Sequence, residues 1–175
     1  MSATPSQPSP HTATSDPAQA FIAYLDFFRD AARRKVVGLD DRTLRESLLP
    51  SGWTPLQMIS HLVHMERRWF VWGFLGEQVV DPWGDNVDGI ASGRWSTDRT
   101  LDDLLTALAE GGRRTSEIVS THDLLDHAAS GGRFPDGEPT PTLIAILFHV
   151  MQEYARHLGH LDIVRELIDG TTGDN

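Results

Sequence analysis

Apolar residues recur at spacings of three and four in four stretches of the chain, and strand-period alternation is missing, so the hydrophobic pattern predicts an all-α protein. The first stripe is Phe21, Tyr24, Leu25, Phe28, Ala32 and Val36. Before it, Asp16-Pro17-Ala18-Gln19 supplies a side-chain cap, a proline at the first helical position and a Gln at the third, which is a capping-box start; Gly38 marks the end. Residues 39–50 leave room for a helical turn. Thr54-Pro55-Leu56-Gln57 repeats the capping signature and opens a second helix that runs to about Leu75, with Gly76 as its stop. On that helix Met58, Leu62, Met65, Trp69 and Trp72 share one face, His61 sits at its flank, and His64 is rotated further toward solvent. A third helix opens at Thr100-Leu101-Asp102-Asp103 and carries Leu101, Leu104, Leu105, Leu108 and Ile118 on its apolar side. Gly111-Gly112 in its middle weakens it by roughly 1 kcal/mol per glycine relative to Ala, which invites a kink or an early stop. The fourth and longest helix is expected from Thr140-Pro141 to Gly170, with Leu143, Ile146, Val150, Tyr154, Leu161, Val164 and Ile168 as its apolar face.

Four amphipathic helices without an internal repeat make an all-α four-helix bundle the expected architecture. One domain over residues 16–170 accounts for all of them. Residues 1–15, composed largely of Ser, Thr, Pro and Ala, are expected to be a disordered tail, and residues 171–175 a short C-terminal one. Long loops join helices two and three (76–99) and helices three and four (122–139). The first contains Asp81-Pro82-Trp83-Gly84-Asp85-Asn86, turn chemistry with an embedded aromatic, and is expected to cross the end of the bundle and form part of a pocket rim.

Charge narrows the function. The net charge of −10, from 25 acidic against 15 basic side chains, repels polyanions and argues against nucleic acid or an anionic membrane as partner. No apolar run approaches the ~20 residues of a membrane span and no signal pattern opens the chain, so a cytoplasmic protein is expected. The sequence contains no cysteine, which excludes thiolate metal sites and a cysteine nucleophile. Any metal must be held by nitrogen and oxygen, and any thiol must come from a separate small molecule.

Chemistry concentrates in the last helix. His149, Glu153 and His157 stand four apart along one flank, with His160 one turn beyond. Singly, each histidine reads as a hydrogen-bonded boundary residue, and Glu153/His157 as an ordinary contact between residues four apart. Together they place a carboxylate and an imidazole beside a core face, where hydration is lost unless a partner replaces it. A divalent cation is such a partner, and His61 on the second helix can reach the same place from across the bundle. Two histidines and one glutamate leave coordination positions free, as catalytic metal sites do. The pattern is not a His-Glu-x-x-His metalloprotease motif, because no Glu follows His157.

The run Ser51-Gly-Trp-Thr-Pro-Leu-Gln-Met-Ile-Ser-His61-Leu, then Glu66 and Trp69-Phe70, then Pro82-Trp83-Gly84-Asp85, and finally Glu153-Tyr-Ala-Arg-His157-Leu-Gly-His160-Leu-Asp-Ile-Val-Arg165-Glu resembles the DinB-like superfamily. Within it the chain is most similar to an actinobacterial subgroup that resembles the metal-binding domain of mycothiol-dependent maleylpyruvate isomerase. The resemblance implies a DinB-type four-helix bundle and a divalent metal held by His61, Glu153 and His157, with zinc the first expectation and nickel or manganese as alternatives. His160, where many relatives carry Gln, would lie beside these ligands; His149 and His64 rank behind it. The isomerase's additional C-terminal domain is not matched, so isomerisation of maleylpyruvate is not the main expectation.

What the resemblance implies instead is a metal-assisted S-transferase or isomerase that uses a thiol such as mycothiol against a small electrophile. A hydrolase using metal-activated water and a non-enzymatic stress-response or binding module are the alternatives. Trp53, Trp69 and Trp83 are candidates for the pocket wall, with Trp69 also a core candidate. Arg156 and Arg165 could meet a substrate carboxylate but read more simply as solvated helix-face charges. A homodimer is compatible with the bundle exterior.

Overall fold

The computed structural model describes residues 10, 11 and 14–172. Most of the expected N-terminal tail (1–9, 12 and 13) and the end of the C-terminal one (173–175) therefore lie outside the described residues. The described chain is all-helical: α1 (Pro17–Val36), a short α2 (Asp41–Arg45), α3 (Pro55–Trp69) continued by a π-helical turn at Phe70–Phe74, α4 (Leu101–Thr121) and α5 (Leu143–Asp169). Two isolated bridges, Asn86 with Trp95 and His127 with Thr142, are the β pairing among the described residues. No described helix is long and apolar enough to cross a membrane.

The helix starts follow the capping chemistry. Asp16 accepts from the Ala18 amide at α1, Thr54 and Gln57 complete a capping box at α3, and Thr100 and Asp103 complete one at α4. At α5 the helix begins two residues later than Thr140-Pro141 suggests. The Ala128 amide donates to the Pro141 carbonyl and the Leu143 amide to the Asp126 carbonyl, so this short antiparallel pairing occupies the backbone that a first helical turn would have used.

The four long helices form a bundle in which α1 and α3 each pack against both α4 and α5. Leu25, Met58, Leu62, Leu104, Ile118, Leu143, Ile146 and Val150 are all buried at its centre. Among these apolar side chains lies a charged hub. The Glu66 carboxylate, on α3, accepts from the Arg29 guanidinium of α1, from Thr115 Oγ1 of α4 at 2.8 Å, and from Tyr154 OH of α5 at 2.8 Å. One buried carboxylate thus ties the four long helices together, and its donors leave none of the charge unpaired.

Arg29 also explains the glycine pair. Instead of kinking or stopping, α4 runs unbroken through Gly111-Gly112. A Cβ at position 112 would come within 2.9 Å of Arg29 Cδ and Nε, so Gly112 is the notch through which the guanidinium reaches Glu66. Arg165 likewise departs from a solvated helix-face charge: its Nη1 donates to the Lys35 carbonyl at 3.1 Å, satisfying an orphan acceptor at the end of α1, while Arg156 is exposed.

Candidate metal centre

His61, Glu153 and His157 converge at the seam of α3 and α5, one potential ligand atom from each lying within 4.8 Å of the others. The rotation of α5 sets this up. Tyr154 is fully buried and points to Glu66, which turns the preceding Glu153 and the following His157 toward α3. His157 Nε2 lies 3.0 Å from Glu153 Oε2, and the His61 and His157 rings meet edge to face with centroids 4.8 Å apart.

The histidine of α3 is held from behind by the long loop between α3 and α4. Asp85, with no exposed surface, accepts from His61 Nδ1 at 3.0 Å, from Arg68 Nη1 at 2.5 Å and from Asn86 Nδ2 at 3.0 Å. Burial alone would raise the Asp85 pKa, but the hydrogen bonds from His61 and Arg68 and the Arg68 charge hold it well below the usual carboxylate range. An ionised Asp85 can only accept, which puts the His61 proton on Nδ1 and the lone pair on Nε2. Burial also lowers the His61 pKa, so the neutral ring that a metal needs is the favoured form. Trp95, from the same loop, stacks on His61 at 4.2 Å with an interplanar angle of 18°. The loop therefore reaches the site itself, beyond the rim expected of it.

His61 Nε2 and His157 Nδ1 are both buried without a hydrogen-bond partner. An unsatisfied buried polar atom costs about 1–3 kcal/mol, so two of them in one site call for a ligand. Glu153 is held ionised, its pKa lowered to about 2 by the hydrogen bond from His157, against the opposing effect of burial. A carboxylate with two imidazoles is a donor set that fits a divalent transition metal, zinc, nickel or manganese among them. Such a cation would be held by His61, Glu153 and His157.

The other candidates fall outside this cluster. His149 Nε2 lies 3.4 Å from the second Glu153 oxygen, and its ring packs against Trp69 at 4.1 Å, so it flanks the carboxylate. His160 is exposed, 5.6 Å from the His157 ring and 6.1 Å from Trp53. His64 turns back to its own helix, bonding the Ser60 carbonyl at 2.9 Å. Trp53 and Trp95 face a pocket of about 280 Å³ with Ser51, Gln57 and Arg94. Trp69 packs against the core, and Trp83 lies under Arg68 at 4.4 Å; neither faces that pocket. Asp85 and Trp95 are the residues that sequence reasoning did not assign to the site. Their signal was the long loop itself and its Asp-Pro-Trp-Gly-Asp-Asn run.

An all-α bundle with a histidine on its second long helix facing a Glu-x-x-x-His pair on its last is the DinB-like class. The family model described as mycothiol S-transferase matches residues 20–170, from the first turn of α1 to the end of α5, and the chain belongs to that family. No curated protein matches the chain significantly.

Proposed function

We propose that this protein is a metal-dependent S-transferase that joins a low-molecular-weight thiol, mycothiol, to a small electrophile in the cytoplasm. The carrying observation is the convergence of His61, Glu153 and His157, with two orphaned imidazole nitrogens, in a chain of the mycothiol S-transferase family. A divalent ion held there would lower the pKa of a thiol toward neutrality.

The chain's own residues supply the rest. Asp85 fixes the tautomer and orientation of His61, and the depressed pKa of Glu153 keeps it anionic at neutral pH. Trp95 covers one face of His61 and keeps water from it, while the Trp53 and Trp95 pocket beside it offers flat apolar walls to a substrate. In the reaction a carbon–sulfur bond forms, the thiol proton passes to solvent, and the leaving group departs with its electron pair. Addition to a double bond instead ends with proton uptake at the neighbouring carbon.

The test is elemental analysis and turnover together. Wild-type protein loaded with zinc, nickel or manganese is expected to retain about one ion per chain and to consume an electrophile only when mycothiol is present; His157→Ala should lose both properties. Wild type that remains metal-free after loading, or consumption that ignores the thiol, contradicts the proposal.

A further inference from the structure

Arg133 carries a positive charge that no described residue neutralises. Among the described residues its guanidinium makes no hydrogen bond or ion pair with another residue, and Nη1 is buried with no partner at all. It is held instead by ring faces, 4.2 Å from the centroid of Trp69, 5.5 Å from Trp83 and 6.0 Å from Trp72. Cation–π contacts of this kind offset only part of the cost of removing an ion from water. The neighbouring Arg68, which shares Trp83, has Asp85 as its counter-ion; Arg133 has no equivalent among the described residues.

Its position is built into the fold. The Arg133 amide donates to the Trp72 carbonyl at 3.0 Å and the Ala129 amide to the Phe74 carbonyl at 2.8 Å, using acceptors at the end of the π-helical turn. Gly132 lets the two backbones meet, since a Cβ there would be 2.2 Å from the Trp72 carbonyl oxygen. Trp69, on which the guanidinium stacks, touches His149, and His149 touches Glu153. Arg133 thus lies on the Glu153 flank of the centre. Nη1 is buried, while the residue as a whole is half-buried.

We propose that Arg133 is the docking point for a carboxylate on the electrophile, and that the enzyme therefore prefers small aromatic electrophiles bearing a carboxylate to their neutral counterparts. The planar fork of the guanidinium matches a carboxylate, and the tryptophans beside it suit a flat ring. The inference rests on the S-transfer reading above.

Zinc-loaded wild type would be assayed with mycothiol and either a chloronitrobenzoate or its methyl ester, which share one ring and one leaving group and differ in charge. The aryl–sulfur bond forms as chloride leaves with its electron pair and the thiol proton goes to solvent. With each rate taken relative to its own uncatalysed reaction with mycothiol, the acid is expected to have the higher kcat/KM, and Arg133→Gln should reduce the acid-to-ester ratio by about 10- to 100-fold, the range of one charge-assisted pair. Arg133→Lys should restore part of that ratio, chiefly through KM. Independently of turnover, benzoate added to metal-free wild type should give a saturable change in tryptophan fluorescence that Arg133→Gln abolishes. Equal handling of acid and ester by wild type, an unchanged ratio in Arg133→Gln, or benzoate binding that survives the substitution overturns the inference. If neither electrophile is consumed in a thiol-dependent way, the S-transfer reading fails, and the benzoate titration then decides the role of Arg133 alone.

Discussion

At the scale of single residues, Asp85 determines how the α3 histidine meets its partners on α5. Its carboxylate bonds His61 and Arg68 at once. Asp85→Asn replaces an anionic acceptor by a neutral amide, so it weakens the preference for the Nδ1 tautomer of His61 and leaves Arg68 without its counter-ion. Affinity for zinc, measured by competition with a chromophoric chelator, is expected to fall about 10- to 100-fold. The three candidate ligands were legible in the sequence because helical geometry converts spacing into direction: Glu153 and His157 are four apart, and His61 lies at the flank of a well-marked apolar stripe. Asp85 was not legible in that way. It stands 24 residues from His61 in the chain, on the irregular loop that follows Phe74, for which no periodicity exists.

At the scale of elements, α4 offers a paired test of the packing. Replacing a mid-helix glycine by alanine ordinarily stabilises by about 1 kcal/mol. A methyl group at position 111 would meet nothing within 4 Å, so Gly111→Ala should raise the thermal midpoint by a few degrees. Gly112→Ala should lower it, because the new methyl meets Arg29 at 2.9–3.0 Å and Arg29 cannot retreat from its bonds to Glu66. The opposite signs, read from thermal unfolding of the two variants, separate intrinsic propensity from the notch. From sequence the glycine pair predicted weakness because propensity is local, whereas the reason for Gly112 lies on another helix. The helix ends were more readable, since Thr54 with Gln57 and Thr100 with Asp103 carry their own hydrogen-bond partners within one turn. The start of α5 was misplaced because its competitor, the 126–128 segment, is supplied by a loop.

At the scale of the whole molecule, the bundle is specified by a polar centre as well as by its apolar core. Glu66→Ala leaves Arg29 buried without its counter-ion and should cost about 3–5 kcal/mol, measured by denaturant unfolding. Tyr154→Phe removes one donor from a carboxylate that keeps others and should cost about 1–3 kcal/mol. The four amphipathic stripes made the bundle legible, but which helices lie side by side depends on pairings such as Arg29 with Glu66, 37 residues apart, that no stripe encodes. The loop clasp on His61 bears, finally, on the order of events when the protein is made. Asp85 and Trp95 orient that ring without help from an ion, and Glu153 and His157 hold each other. The polypeptide should therefore fold first and acquire its ion afterwards. Chelation should leave the far-ultraviolet circular dichroism unchanged, and stopped-flow zinc uptake should be a single bimolecular phase whose rate grows linearly with zinc concentration, with no slow conformational step behind it.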